Sequence, residues 1–286
     1  MEAKTLDAGE FRQAQRQQWN NAASGWQKWA SHVDATTGGV SERLVELAGI
    51  GAGSRVLDVA AGYGEPALTA AKKATPEGRV VATDISPEMI AFGRERAAAV
   101  GVDNLEFIES SASALDFPEH SFDAALSRWG IIFEPEAEAA AARIRGFLEP
   151  GGRMAIASWG PPNEVPMIAL PMITLLGYLQ LPPPPPGTPG PLSRPTPEAI
   201  GGLLEGGGFS DVQVEEMHVV SEWESAEAFT TYVQDIVAPL VALLAQHPQD
   251  VQDAAWNAVT EATRARANDD GSVTFSNLVL MASGKA

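Results

Sequence analysis

Cysteine is absent from the chain, which excludes disulfides, thiolate nucleophiles and thiolate metal ligands and accords with a reducing compartment. Basic residues are scarce, with 19 Lys and Arg against 37 Asp and Glu and a formal charge of −18. No basic run occurs, so the sequence lacks the phosphate-binding surface that a nucleic acid or an anionic membrane demands. Histidine is sparse, with four copies, and no pair has metal-ligand spacing. Long apolar runs are missing too. The longest, Val165 to Leu181, is broken by Pro166 and Pro171 and is short for a membrane span. Met1 to Glu10 is polar and acidic, without the apolar stretch of a signal peptide. These absences predict a cytoplasmic protein with no metal, no nucleic-acid partner and no membrane insertion.

What is present is organised around Val56 to Leu68. Arg55 to Val59 reads as a short buried strand, and Ala60 to Gly64 carry so little side chain that the backbone can turn tightly and bring N–H groups against a ligand. Pro66 suits a first helical position. Before this turn, Leu6 to Ala30 has roughly helical apolar spacing and predicts one or two short helices, with three tryptophans between Trp19 and Trp29. Ser41 to Ile50 predicts a separate amphipathic helix capped by Ser41. After it, strands at Arg79–Thr83, Leu105–Glu109, Phe122–Ser127 and Arg153–Trp159 alternate with helices at Pro87–Val100 and Glu136–Leu148. That rhythm predicts a Rossmann-like, doubly wound parallel sheet with ligands at the carboxyl ends of its strands. An apolar helical piece at Val165–Leu179, the stiff run Pro182–Pro186 and a helix at Thr196–Glu205 come next. A sixth strand at Phe209–Val219, two helical stretches at Ala226–Gln246 and Gln249–Ala267, and a seventh strand at Ser272–Ala282 close the chain.

Asp58, Asp84 and Ser111 end the first three strands in series and open into one crevice. A carboxylate ending the second strand can accept two ribose hydroxyls, and since Ser86 already caps the next helix, Asp84 is free for that role. Ile85 and Met89 would wall an adenine.

The runs VLDVAAGYGEPAL, TDISPEM, ESSASALDFPEHSFD and FLEPGGRMAIASWG together resemble the class I S-adenosylmethionine-dependent methyltransferases, in the small-molecule branch related to the ubiquinone and menaquinone methyltransferases. The resemblance covers about Val56 to Gly160 and, loosely, Trp19 to Gly53. It implies a seven-stranded sheet whose last strand is antiparallel, and S-adenosylmethionine as cofactor with S-adenosylhomocysteine as product. It further implies Asp58, Ala60, Gly62 and Gly64 at the methionine end, Asp84 on the ribose, Ile85 and Met89 on the adenine face, and Ser111 with Ala112 at the adenine edge. Ser127, Arg128 and Trp129 would line the sulfonium and substrate side. Apart from the resemblance, the three arm tryptophans are expected to staple the arm to the main domain, with Trp26 or Trp29 closing over the cofactor or substrate as the functional reading. Ala60 replaces the usual glycine and Ser111 a frequent aspartate, so a modest cofactor affinity is expected.

The corresponding division of the chain is an arm over 1–50, a cofactor-binding core over 51–160, a cap insertion over 161–200, the sixth strand with its preceding helix over 201–220, a helical cap over 221–271 and the seventh strand over 272–286. The two insertions would form a lid over the crevice or a homodimer interface. Trp19, Arg128, Trp129, Phe133, Met172 and Tyr232 are the candidate contacts for a small apolar or aromatic substrate. Arg128 would clamp an anionic group or pair with Glu134. His32 is the candidate general base, its alternative reading being a plain surface histidine. Gly62-Tyr63-Gly64-Glu65-Pro66-Ala67 also fits a loose dinucleotide pattern, so an NAD(P)-dependent oxidoreductase is the rival, although Glu65 would repel a pyrophosphate there. A non-catalytic protein that binds S-adenosylmethionine is the third reading.

Overall fold

The computed structural model describes residues 7–185 and 187–286; Met1 to Leu6, and Pro186 of the proline run, lie outside it. The chain begins with one continuous helix, α1 (Ala8–Leu47), where two or three separate helices were expected. Asp7 caps it by accepting the Glu10 N–H at 2.9 Å. Gly38 and Gly39 do not break it, although each costs about 1 kcal/mol in a helix interior. Burial of Val33, Val40, Leu44 and Val45 against the core outweighs that cost. Ser41 is therefore no N-cap. It lies inside the helix, and its hydroxyl accepts from Arg128 Nη1 at 2.9 Å.

Seven strands follow: β1 (Arg55–Val59), β2 (Arg79–Asp84), β3 (Leu105–Glu109), β4 (Phe122–Arg128), β5 (Leu148–Trp159), β6 (Ser210–Trp223) and β7 (Val273–Lys285). They form one sheet in the order β3-β2-β1-β4-β5-β7-β6. β1 to β5 run parallel, and β7 lies antiparallel between β5 and β6. The sheet is the Rossmann-like, mostly parallel one that the alternating pattern called for. Its winding reverses between β1 and β4, which is where open α/β sheets bind ligands.

Helices α2 (Ala67–Ala74), α3 (Pro87–Ala99) and α4 (Ala137–Phe147) join the parallel strands. Pro66 precedes α2 instead of opening it, while Ser86 caps α3 as expected, accepting from Met89 N at 3.2 Å. One face of the sheet packs on α1, α2 and α3 through Val56, Leu68, Ala71, Val80, Phe107 and Leu126. The other packs on α4 and α6 (Pro197–Gly206) through Leu57, Ile144, Ile156 and Leu203.

β6 and β7 run longer than their apolar cores predicted, because Ser221 and Trp223 are buried and pair on to Phe275 and Val273. Between the ends of this hairpin lie α7 (Ala226–Ile236), α8 (Ala238–Leu244) and α9 (Gln249–Arg264). The stretch expected as helical from Ala226 to Gln246 bends by 88° between α7 and α8 at Val237, since Pro239 has no N–H to continue the ladder to Asp235 and its ring would clash with that carbonyl. Helix α5 (Pro166–Tyr178) packs on α9, α9 on α7, and α7 on α1. Among the described residues no single helix is long and apolar enough to cross a membrane.

Candidate active site

The turn after β1 and the end of β2 are joined by a carboxylate. Gly62 N–H donates to Asp84 Oδ2 at 2.8 Å and Ser86 N–H to Asp84 Oδ1 at 2.8 Å. Gly62 has φ +54 and Gly64 φ +107, backbone that glycine adopts without penalty. Burial pushes the Asp84 carboxyl up to about 6, against the Ser86 and Gly62 N–H groups that favour its charged form. Each oxygen keeps a further lone pair, so both can still accept a hydroxyl. A groove of about 1020 Å³ opens beside it between the start of α1 and the ends of β2 and β3, and Ile85, Ser110, Ser111 and Ala114 line its floor. Arg16 and Glu109 pair across it at 2.5 Å, while Arg12 ties the start of α1 to Glu134 and Glu136. Met89 is buried beneath its cap, and Ala112 opens a 3₁₀ turn that packs toward the opposite core.

Asp58 ends β1 with no solvent exposure, and neither carboxylate oxygen has a hydrogen-bond partner. Burial holds its carboxyl well above the usual range, with the Arg128 charge opposing. Ala60 adopts φ +56, the conformation a glycine would take, and its methyl is accommodated because Gly130 faces it: a Cβ on Gly130 would fall 2.4 Å from Ala60 Cβ. Ser127 is buried, its hydroxyl donating to Val59 O at 2.8 Å and accepting from Ile131 N at 2.9 Å. It ties β1 to the loop after β4 and has no hydrogen left to donate to a ligand, which gives it a structural part beside its expected place near the cofactor.

Arg128 does not pair with Glu134, which is held by Arg12. Its guanidinium donates to Thr37 Oγ1, Ser41 Oγ and Tyr63 Oη at 2.9 to 3.0 Å, and its Nε has no partner. Tyr63 in turn donates to Asp34 at 3.0 Å, and Arg96 closes the chain on Asp34. No local pattern marked Asp34, Thr37 or Ser41, whose partners lie in distant segments.

The arm tryptophans separate. Trp19 packs edge-on against Phe133 and Trp26, with ring centroids 5.4 and 6.5 Å apart, and Trp26 lies 5.5 Å from Tyr63. Trp29 turns away from the turn after β1: its Nε1 donates to Asp235 of α7 at 2.7 Å and its ring meets Trp223 and Tyr232. It is pinned to α7 and the end of β6, away from the turn after β1. His32 belongs to the same cluster, 4.1 Å from Trp223 and 5.9 Å from Tyr232, with Nε2 buried and unpartnered. It is half-buried, not the plain surface histidine of the alternative reading, and burial lowers its pKa. Trp129 stacks on Trp159 at 4.4 Å, and Met172 packs on the core from α5.

Residues 56–152 match the methyltransferase domain family. Over that stretch the chain is similar to a methyltransferase domain. An uncharacterised protein of Mycobacterium tuberculosis is 42% identical over 116 residues, 41% of each chain. A ubiquinone/menaquinone biosynthesis C-methyltransferase of Pseudomonas putida is 36% identical over 121 residues, 42% of this chain and 47% of that one. The matches thus span under half the length of these relatives. The structure of a Haemonchus contortus phosphoethanolamine N-methyltransferase, solved with S-adenosylhomocysteine, superposes with a TM-score of 0.52 at 20% identity over 86% of this chain and 52% of that one, which establishes the shared fold. The matched stretch ends within β5, so α1 and the helices α5 to α9 lie outside it.

Proposed function

We propose that the protein is an S-adenosylmethionine-dependent methyltransferase acting on carbon, oxygen or nitrogen of a small apolar or aromatic metabolite. One observation carries the reading. Two buried carboxylates, Asp58 and Asp84, flank a turn almost free of side chains, and Asp58 has both oxygens unpartnered. Unpaired buried acceptors are costly, and the cofactor brings the matching donors: an α-ammonium for Asp58 and ribose hydroxyls for Asp84. Ile85 and Ser111 would meet the adenine in the groove. When bound, S-adenosylmethionine supplies a methyl group already activated by its positive sulfur.

The chain's own residues then align and shield. Trp26, Tyr63, Trp129 and Tyr232 present aromatic walls between α1, the end of β4 and α7, and α5 with α7–α9 serve as the lid that keeps water out. His32, kept neutral by its burial, is in the form that accepts a proton and is the candidate base for a substrate that must lose one. Similarity to a ubiquinone/menaquinone biosynthesis C-methyltransferase supports a small-molecule substrate.

Release of S-adenosylhomocysteine, measured against a panel of phenols, quinols and amines, tests the proposal. Turnover on any of them supports it. Tight cofactor binding with silence across a broad panel would indicate a non-catalytic binding protein, and calorimetry showing NAD uptake with indifference to S-adenosylmethionine would overturn the cofactor assignment.

A further inference from the structure

Where α1, β6 and α7 meet, three polar atoms are buried without a partner among the described residues: His32 Nε2, Ser221 Oγ and Trp223 Nε1. Ser221 and Trp223 are 0% and 4% exposed. They stand two residues apart on β6, opposite Phe275 and Val273 of β7, so by strand alternation both side chains lie on one face. Val219, Val273 and Phe275 of that face belong to the core beneath α1. His32 reaches the same place from α1, its ring 4.1 Å from that of Trp223. Tyr232 of α7 closes the cluster, 4.5 Å from Trp223 and 5.5 Å from Trp29. The Trp29 indole N–H has a partner in Asp235, so the neighbouring helix can satisfy a buried donor here, yet it satisfies none of the three. Trp223 and Val273 also line a cavity of about 360 Å³ at the end of the β6–β7 hairpin, and the cluster therefore borders open space.

Buried donors and acceptors left unpaired are costly, and these three select among the groups that could pair them. An indole N–H only donates, a serine hydroxyl donates and accepts, and a neutral imidazole nitrogen does one or the other according to its tautomer. A hydroxyl matches all of them. It accepts from Trp223 Nε1, exchanges with Ser221 Oγ, and meets His32 Nε2 in either tautomer. A carbonyl matches only one tautomer, and an ammonium has no lone pair for Trp223. A carboxylate would bury a charge beside no free cation, because Lys28, packed on the Trp29 ring, is taken by Asp235. The ring faces of Trp29, Trp223 and Tyr232 suit a flat apolar body behind the hydroxyl.

We infer that His32, Ser221 and Trp223 form a binding site for the hydroxyl of an aromatic ligand, with its ring against the Trp29 and Tyr232 side of the cluster. The inference rests on the methyltransferase reading above only in calling that ligand a substrate. All the residues of the site lie outside the stretch that matches the methyltransferase domain, on α1, β6 and α7. The hydroxyl thus narrows the substrate class from apolar or aromatic to phenol-like.

Equilibrium dialysis of three probes against the full chain tests the site: 1-naphthol, naphthalene, which lacks the oxygen, and 1-naphthoate, which puts an anion in its place. The wild type is expected to bind 1-naphthol about 10-fold or more tightly than either of the others. Ser221→Ala and Trp223→Phe should each cut the preference over naphthalene by about 3- to 10-fold while naphthalene itself binds as before. With no protein partner to lose, Ser221→Ala should leave the melting temperature unchanged or raise it, which a serine serving the fold would not do. If circular dichroism shows Trp223→Phe unfolded, His32→Phe, which keeps a ring against Trp223 and removes the nitrogen, takes its place. Equal wild-type affinity for 1-naphthol and naphthalene, the result expected if a water alone joins the three atoms, overturns the inference. So does a preference that survives the substitutions, a lowered melting temperature in Ser221→Ala, tighter binding of 1-naphthoate, or no binding of any probe. S-adenosylhomocysteine titrated into the same protein reports separately on the cofactor reading: its failure to bind would end that reading and leave this site standing.

Discussion

Gly62 N donates to Asp84 Oδ2 at 2.8 Å, so the turn after β1 is held by the residue proposed to bind the ribose. The shape of the turn and the charge of the site thus share one group. Since burial raises the Asp84 carboxyl from 3.8 to about 6, the folded chain holds that proton more tightly than the unfolded chain. Between about pH 4 and 6 the ligand-free protein therefore loses stability as pH rises, by up to roughly 3 kcal/mol from this group. Cofactor affinity runs the other way. The ionised form is the stronger acceptor for ribose hydroxyls, so affinity for S-adenosylhomocysteine should climb toward a plateau above pH 6. Asp84→Asn should remove this titration and weaken binding by about tenfold or more. Calorimetry from pH 5 to 7.5 on both proteins checks it, and superimposable pH profiles would refute the role.

Ala60 and Gly130 form a second coupled pair. Ala60 at φ +56 carries a strain of about 1 kcal/mol. Ala60→Gly relieves it but adds freedom to the unfolded chain of similar worth, so the net change should stay within about 0.5 kcal/mol. Gly130→Ala drives a methyl to 2.4 Å from Ala60 Cβ and should cost about 1–3 kcal/mol. The double variant should recover part of that loss, because the nearest atom is gone while Ser127 Oγ at 2.9 Å and Val59 O at 3.0 Å still crowd the new methyl. Urea denaturation of the four proteins forms the cycle, and simple additivity would show that the contact does not set the cost.

The parallel strands and the turn were legible because each rests on local chemistry: apolar runs of strand length, small residues where the chain bends, and Ser86 beside its own helix. What escaped the sequence were polar groups whose partners are far away. Ser41 reads as a cap, yet it serves Arg128, 87 positions on. Ser127 looks like a ligand contact from its place at a strand end, and its hydroxyl is spent on Val59 and Ile131. Trp29 stands three residues from Trp26 and points to another element altogether, since a helix of α1's length passes both the cofactor turn and the cap.

Ser127→Ala should therefore behave as a folding variant. It leaves the Val59 carbonyl without its donor and the Ile131 N–H without its acceptor, both inside the core, for a loss of about 1–3 kcal/mol. S-adenosylhomocysteine affinity, measured well below the melting temperature, should change by less than about 3-fold. A larger drop in affinity at unchanged stability would restore Ser127 to the cofactor contacts.

Gly25 is where α1 packs closely against α7. A Cβ there would lie 2.0 Å from the Asp235 carbonyl oxygen, so Gly25→Ala must push α7 away from α1, straining the Trp29 to Asp235 bond and opening the His32, Trp223 and Tyr232 cluster. Asp84, Gly62 and the groove are held by other contacts. The expected result is a loss of about 1–3 kcal/mol in stability, a red-shifted tryptophan emission and a raised KM for whichever substrate the panel identifies. S-adenosylhomocysteine affinity should stay within about 3-fold of the wild type. Asp235→Ala, which removes the acceptor of both Trp29 Nε1 and Lys28 Nζ without a clash, should shift the same readouts in the same direction by less. If cofactor affinity falls in step with KM in both variants, then the cap helices and the cofactor cleft work as one unit, and the assignment of α7 to the substrate side fails.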